Sequence, residues 1–145
     1  MNVDLKAIHT ITKKLYDGLC FEQGQFPDFK GVRKLFLENA RFIEHDGQQE
    51  NIKTFDDFSA SLTSVIKSGQ LISSFEKEVF EKTEIFGSIA QRFSTFEAYV
   101  SVDSKKPYSQ GVNSFQFIKD SDGWHIASLM WQCAGPGVEI PSEYL

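Results

Sequence analysis

The strongest constraint on the fold is a change of hydrophobic spacing near residue 73 of this 145-residue chain. Before that point apolar residues recur at helical spacing, whereas from residue 73 to 133 they alternate with polar residues, which predicts β-strands. Turn-forming stretches, including Gly87, DSKKPYSQG and DSDG, separate this part into four segments. The segments are SFEKEVFEKTEIF, SIAQRFSTFEAYVSV, GVNSFQFIK and WHIASLMWQC. We therefore predict four antiparallel strands joined in sequence, long enough to form a strongly bent sheet.

The first half of the chain predicts three helices and one short strand. Residues 3–19 have an apolar stripe at helical spacing, and Asp28 is a suitable N-cap for a second short helix. Thr54, with Asp57 three residues later, predicts the start of a third helix that ends at Gly69. The stretch ARFIEH alternates and predicts a strand. The apolar stripes are Leu5, Ile8, Ile11, Leu15 and Leu19 for the first helix, Phe29, Val32, Leu35 and Phe36 for the second, and Phe58, Leu62, Val65 and Ile66 for the third.

These elements predict an α+β fold in which three N-terminal helices pack on a strongly curved mixed or antiparallel sheet. The length and a hydrophobic content of 41% indicate one domain, residues 1–145, with one core. Fourteen residues are Phe, which has no polar handle, so we expect a thick apolar interior or an apolar pocket wall. A long curled sheet can wrap a helix on its concave side and leave a cavity at its open end.

Charge and cysteine content restrict the partners and the compartment. The net charge is −5, and basic residues never run beyond adjacent pairs, so we expect no nucleic-acid partner. No apolar run approaches membrane-spanning length, and the first 20 residues contain no signal-like apolar region, so we expect a cytoplasmic protein without a membrane partner. Cys20 and Cys133 fit no metal or redox spacing, and two buried thiols are favoured over a disulfide.

Three segments of the chain resemble a known superfamily. LFLENARFIEHDG is similar to the helix-to-strand segment of the nuclear transport factor 2-like superfamily, which includes SnoaL-like proteins and ketosteroid isomerases. GSIAQRFSTFEAYV resembles its long bent central strand, and NSFQFIKDSDGWHIASLMW its closing hairpin. The resemblance covers roughly residues 3–133 and implies a cystatin-like cone with an internal pocket, commonly a homodimer through the outer sheet face. It does not set the function, because the superfamily includes isomerases, cyclases, dehydratases, binding modules and transport adaptors.

The resemblance to ketosteroid isomerases implies three catalytic candidates. Glu44 falls where that family keeps its carboxylate general base, and strand alternation sends it inward if Phe42 points into the cone. Tyr16 lies near the family's helix tyrosine, an oxyanion donor. Asn113 stands where the family has a protonated aspartic acid, and an amide can also donate a hydrogen bond. Asn113 is therefore a departure from the steroid isomerase pattern.

Each catalytic candidate also has a structural interpretation. Glu44 is interpreted first as a rim carboxylate beside a turn made by Asp46 and Gly47, and otherwise as a ligand contact or a base. Tyr16 is more often a helix tyrosine with its hydroxyl at the edge of the core. Asn113 can equally cap backbone groups at a strand edge.

Ligand contacts are predicted for five further residues: Phe42, His45, Arg92, Phe115 and Trp131. His45 alternates away from the pocket and would replace Glu44 as the inward group only if the register slipped by one. Arg92 could hold an anionic ligand or pair with Glu44 on a concave face, but a cross-strand ion pair on a convex face is favoured. Its partner would be a glutamate of FEKEVFEKTE, a strand that we otherwise interpret as a solvated face. Three isolated histidines predict no metal site, and no cofactor motif is present.

Two functional hypotheses follow. The first is a binding or dimerisation module whose apolar cone binds a small apolar or carbonyl-containing molecule. It is slightly favoured because the three catalytic candidates, Glu44, Tyr16 and Asn113, do not complete the family's set. The alternative is a cofactor-independent isomerase, cyclase or dehydratase that uses Glu44 as base, with Tyr16 and Asn113 as donors.

Overall fold

The computed structural model describes residues 2–145 and has three helices and six strands within that range. In chain order the elements are α1 (Val3–Leu19), α2 (Phe29–Arg33), β1 (Phe36–His45), β2 (Glu50–Lys53), α3 (Phe55–Lys67), β3 (Phe75–Phe86), β4 (Ile89–Tyr99), β5 (Ser109–Asp120) and β6 (Gly123–Cys133). A 3-10 turn, Ser142–Tyr144, follows near the C-terminal end.

One sheet contains all six strands, in the order β2-β1-β6-β5-β4-β3. Strands β3 to β6 form the predicted antiparallel meander, and β1 joins its β6 edge in parallel, so the sheet is mixed. The prediction of a single short strand in the first half is wrong, because β2 pairs antiparallel with β1. Its four residues, ENIK, are too few and too polar to show an alternating pattern.

Local signals set most of the helix ends. The Asp28 carboxylate accepts a hydrogen bond from the Gly31 amide at 3.0 Å, and the Thr54 hydroxyl accepts one from the Asp57 amide at 3.2 Å, as the predicted N-caps require. The second helix is shorter than predicted, however. It ends at Arg33, and Phe36 already pairs with Ile126, because pairing with β6 outweighs the helical spacing of the segment.

Helix α1 lies on the concave side of the bent sheet and buries Ile8, Thr12, Leu15 and Tyr16 against it. Three register shifts interrupt the ladders and add to the bending: one at Val79 in β3, one at Ala127 in β6, and one between Phe36 and Arg41 in β1. The core between the helices and the sheet is rich in phenylalanine, as predicted. It includes Phe36, Phe42, Phe55, Phe115 and Phe117.

Two predicted ligand contacts belong to this core. Phe42 is 1% exposed and stacks on Phe58 with a centroid distance of 4.6 Å. Phe115 is fully buried and stacks on Phe117. Neither ring lines the cavity described below, so the prediction that they contact a ligand is corrected: both side chains fill the interior instead.

The C-terminal segment, residues 134–145, folds over the outer face of the sheet. The Tyr144 ring lies between Phe80 and Phe93, with centroid distances of 5.7 and 5.5 Å. The Thr95 hydroxyl donates a hydrogen bond to the Tyr144 carbonyl oxygen at 2.7 Å. This segment therefore covers the middle of the outer face.

Candidate functional site

A cavity of about 200 Å³ lies on the concave side of the sheet, between α1, α3 and strands β3 to β6. Its wall is mainly apolar and aromatic, which is typical of small-molecule sites. The apolar wall includes Leu15, Phe21, Phe58, Phe96, Leu129 and Trp131. Among the residues whose ligand contact is predicted, Trp131 is the one that lines this cavity.

Tyr16 and Asn113 share this cavity, as the resemblance implied, and they contact each other directly. The Asn113 Nδ2 group donates a hydrogen bond to the Tyr16 hydroxyl at 2.8 Å. The Tyr16 hydroxyl also lies 2.7 Å from the Ser94 hydroxyl, which donates to the Glu78 carboxylate at 2.5 Å. Side chains from three strands and one helix thus form one buried series of hydrogen bonds, from Asn113 through Tyr16 and Ser94 to Glu78.

The direction of each hydrogen bond in this chain follows from proton counting. Ser94 has one hydroxyl proton and gives it to Glu78, a carboxylate that pairs with Arg92 and can only accept. Tyr16 must therefore donate its own proton to Ser94, and Asn113 must donate to Tyr16. The Tyr16 proton is already engaged, so Asn113, with its second N–H and its carbonyl oxygen, is the member best able to bond a ligand.

Burial also keeps Tyr16 neutral. Desolvation raises the pKa of its hydroxyl well above the ordinary value, and the hydrogen bonds with Ser94 and Asn113 only partly offset that effect. Tyr16 therefore acts here as a neutral hydroxyl and not as a phenolate.

Glu76, on β3, is a carboxylate of the cavity that the sequence interpretation missed. The sequence pattern predicts a solvated face for its strand, which is wrong for this residue. Burial raises the pKa of the Glu76 carboxyl from 4.5 to about 7, and no neighbouring cation opposes the effect. Within residues 2–145, no hydrogen bond or ion pair involves its carboxylate.

The sequence of β3 does not distinguish the two faces of the strand at Glu76. Glu76 and Glu78 pair with Ala98 and Phe96, which lie on the concave side, whereas Lys77 and Glu84 lie on the outer side. Glu76, Lys77 and Glu78 are all charged, so the sequence pattern does not say which face the helices cover. The extra residue at Val79 also changes the phase within the strand.

Glu44 does point toward the helices, but it lies outside the cavity that holds Tyr16 and Asn113. It lines a separate cleft with Asn51, Lys53 and residues of α3. The parallel ladder pairs Glu44 with Trp131, which in turn pairs with Asn113 on its other side. The Trp131 side chain, together with Phe58 and Leu62, borders both spaces and separates them. The three predicted catalytic residues, Glu44, Tyr16 and Asn113, therefore do not share one cavity.

His45 lies on the other side of β1, next to the C-terminal segment. The register has not slipped, so His45 does not replace Glu44 as the inward group. Its ring Nδ1 accepts a hydrogen bond from the Gly47 amide at 3.1 Å. The Asp46 carboxylate accepts bonds from the Gln49 and Gln48 amides, which lower its pKa. His45, Asp46 and Gly47 therefore build the turn after β1, and the predicted ligand contact of His45 is not placed in the cavity.

Arg92 is 3% exposed and lies on the concave side, opposite to the predicted face. The predicted partner type is present, however. Its guanidinium bonds both oxygens of Glu78, at 2.6 and 3.0 Å, and reaches Glu81 at 3.1 Å. It also bonds Thr83 and the Nδ1 atom of His9. Because its donors are engaged by protein groups, Arg92 holds the sheet and α1 together and does not line the cavity.

Neither cysteine is in a disulfide, but the expectation that both are buried is wrong. Cys20 is half-buried near the Glu76 backbone, and Cys133 is exposed at the cavity rim. Within residues 2–145, no group of three His, Cys, Asp or Glu side chains is arranged to hold a metal ion. No helix in that range is long and apolar enough to cross a membrane.

Comparison with solved structures identifies the fold. The chain is similar to a domain of unknown function with a cystatin-like fold from Nostoc punctiforme, with 14% identity, a TM-score of 0.70, and coverage of 99% of this chain and 82% of that one. It is similar to an NTF-2 like protein of unknown function from Silicibacter pomeroyi, with 14% identity, a TM-score of 0.61 and coverage of 90% and 95%. A proposed ketosteroid isomerase from Parabacteroides distasonis has 12% identity, a TM-score of 0.61 and coverage of 93% and 90%. No protein-family model and no curated protein sequence matches the chain.

These similarities confirm the predicted fold. The chain has an α+β fold of the kind that those structures show, which is described there as cystatin-like or NTF2-like. At these identities the likeness extends to the fold alone, so the function has to be argued from the cavity.

Proposed function

We propose that the protein binds a small, mainly apolar molecule with one polar group in the cavity that contains Tyr16, Glu76 and Asn113. The observation that carries the proposal is the combination of an aromatic wall with polar groups on different elements that converge on the same space. Apolar sites with a few convergent polar groups are the usual form of ligand pockets.

The size of the cavity restricts the ligand. A cavity of about 150 Å³ in an apolar protein core is large enough for benzene. The present cavity measures about 200 Å³, so it suits one small ring with a short substituent and is too small to enclose a whole steroid. The proposed ligand class is thus narrower than the family resemblance alone implies.

A filled-cavity variant tests this proposal. Ala98 is 2% exposed and lines the cavity from β4, so Ala98→Leu should occupy part of the space. We expect wild type to bind cyclohexanone or benzyl alcohol in titrations followed by NMR, and Ala98→Leu to lose that binding. Ala60→Leu makes the same change at an exposed position of α3 and should bind as wild type does. Equal binding by Ala98→Leu and Ala60→Leu would place the ligand elsewhere.

A second candidate function is acid–base catalysis on a small carbonyl compound, because the pKa of Glu76 is about 7 and this carboxyl shares the cavity with Asn113. A base with a pKa near the working pH is effective in proton transfer. In an isomerisation of 3-cyclohexenone, Glu76 would take a proton from C2, Asn113 would bond the enolate oxygen, and Glu76 would return the proton to C4 to give 2-cyclohexenone.

The matched variants Glu76→Gln and Glu44→Gln distinguish the two candidate bases. We expect Glu76→Gln to lower any isomerisation rate by about 10²–10⁴ and Glu44→Gln to leave it unchanged. A loss confined to Glu44→Gln would restore the base that the family resemblance implied. The absence of turnover in wild type would remove the catalytic candidate and leave the binding proposal intact.

We also propose a homodimer through the part of the outer sheet face that the C-terminal segment leaves uncovered. The C-terminal segment covers the middle of that face, but Phe86 and Ile89 at the β3–β4 turn are 83% and 58% exposed. Sedimentation of wild type and of Phe86→Ser with Ile89→Ser tests this proposal. A monomeric wild type at micromolar concentration would contradict it. The cytoplasmic location stays a prediction.

A further inference from the structure

We propose that the ligand of this cavity is a small organic ammonium ion, a ring that bears one protonated amine, with the Glu76 carboxylate as its counter-ion. The inference rests on the proposed binding function and specifies the chemistry of the ligand.

The first argument is the charge inventory of the cavity. Glu76 is the one carboxylate among the lining residues, and no Lys, Arg or His side chain of the described chain lines the space with it. The other ionisable groups that face the cavity are Tyr16, Tyr108 and Cys133. Burial raises the pKa of Tyr16 and of Tyr108, so both hydroxyls are neutral near pH 7. A ligand with a positive charge would therefore meet one negative charge and no repulsion.

The second argument is that Glu76 has no partner within the described chain. The polar side chains of the wall bond one another and not Glu76 within residues 2–145: the Tyr108 hydroxyl bonds the Ser74 hydroxyl at 2.7 Å, and the Tyr16 proton goes to Ser94. An ionised carboxylate in an apolar space is unfavourable unless a cation or a hydrogen-bond donor reaches it. An ammonium group supplies both the charge and up to three donors.

The third argument is the aromatic wall. Six aromatic side chains border the cavity: Tyr16, Phe21, Phe58, Phe96, Tyr108 and Trp131. Aromatic faces attract organic cations, and the attraction increases when the cation is removed from water. The same rings provide the apolar surface that a small ring requires, so the wall and the carboxylate favour the same molecule. The net charge of −5 adds a weak general attraction for cations.

Three matched probes of nearly equal shape separate charge from size. We would titrate wild type at pH 8 with benzylamine, benzyl alcohol and benzoate, which are respectively cationic, neutral and anionic, and measure each Kd by NMR. We expect benzylamine to bind about tenfold more tightly than benzyl alcohol, and benzoate to bind more weakly than both. Binding of benzylamine should weaken below pH 7, because Glu76 is then protonated.

The Glu76→Gln variant removes the charge with little change of shape. It should remove the preference for the amine, so that benzylamine binds this variant no more tightly than benzyl alcohol does. Glu84→Gln, on the outer side of the same strand, is the matched control and should preserve the preference of wild type.

The outcomes distinguish this inference from the proposed function. If wild type binds benzyl alcohol as tightly as benzylamine, or if Glu76→Gln keeps the preference for the amine, the ammonium inference is overturned and the binding function stands. If none of the three probes binds wild type, and Ala98→Leu behaves as wild type, the binding function itself fails and the inference fails with it.

Discussion

Glu76 and Glu78 lie two residues apart on β3, and both side chains point to the concave side, but their surroundings are opposite. Glu78 is bonded by the Arg92 guanidinium through both oxygens and by the Ser94 hydroxyl. Glu76 faces an apolar cavity with no partner in the described chain. The same residue type on the same strand is therefore a structural ion-pair partner in one place and an unpaired, titratable group in the other. The protein groups around a half-buried carboxylate decide which of these two it becomes.

The largest effect on stability is expected when Glu78, the paired carboxylate of the two, is removed. Glu78→Ala leaves the buried Arg92 guanidinium with Glu81 as its remaining carboxylate partner, and removing one member of a buried pair typically costs about 3–5 kcal/mol. Urea unfolding measures the change. Glu84→Ala, on the outer side of β3, is the control and should change the free energy of unfolding by no more than about 0.5 kcal/mol. Equal losses for both variants would show that Glu78 is not a structural partner.

Glu76, the unpaired carboxylate, predicts a distinct pH dependence of the stability of the protein. The pKa of Glu76 is about 7 in the folded protein, against an ordinary value of 4.5 for a solvated glutamate, so the folded state binds more protons between those values. The contribution of Glu76 to stability therefore falls as the pH rises from about 4.5 to 7 and stays low above that. The full change is on the order of 3 kcal/mol.

The variant Glu76→Gln isolates this contribution. The stability of Glu76→Gln relative to wild type should increase between about pH 5 and pH 8, because the variant has no carboxyl to ionise. Urea unfolding at several pH values measures the difference. A difference that does not change with pH would show that Glu76 ionises as an exposed glutamate does.

A smaller loss of stability is expected when the Tyr16 hydroxyl, which lies between Asn113 and Ser94, is removed. Tyr16→Phe removes the hydroxyl that accepts from Asn113 and donates to Ser94, so the Asn113 amide loses a buried partner. The expected cost is about 1–3 kcal/mol in unfolding experiments. Tyr99→Phe, which loses a bond to Glu97 away from the cavity, should cost less than Tyr16→Phe does. The reverse order would contradict the buried chain from Asn113 to Glu78.

The smallest effect is expected for Glu44. Glu44→Gln should change the free energy of unfolding by no more than about 0.5 kcal/mol and should leave probe binding in the cavity unchanged, because Trp131 separates the two spaces. A clear loss of probe binding in this variant would show that the two spaces communicate.

Sequence reasoning succeeded where neighbouring residues decide the structure. Thr54 and Asp28 cap their helices as predicted, and DSDG forms the turn between β5 and β6, with Gly123 at a φ of 109°. Sequence reasoning failed where the pattern of one segment is compatible with both a helix and a strand. Leu35 and Phe36 continue a helical stripe, but the pairing of Phe36 with Ile126, 90 positions later in the chain, places Phe36 in a strand.

The site shows the same limit. The resemblance led to Tyr16 and Asn113, which share the cavity, because their places depend on the helix and strand that carry them. The resemblance could not exclude Glu44 from the site. The side chain that separates Glu44 from the cavity is Trp131, which lies on a strand distant in sequence. Glu76 was missed because a glutamate among lysines and glutamates has the pattern of a wet strand face.

The amino-acid sequence by itself determined the helices, the alternating strands, the turns and, through its order of segments, the cone fold. These depend on hydrophobic period and on capping and turn chemistry, which act over a few residues. Only the tertiary structure decided which of Glu44, Glu76 and Glu78 is paired, which is unpaired and which lies outside the cavity. The physical reason is that burial and charge pairing arise from groups that long-range packing brings together, and these groups set the protonation of a carboxylate.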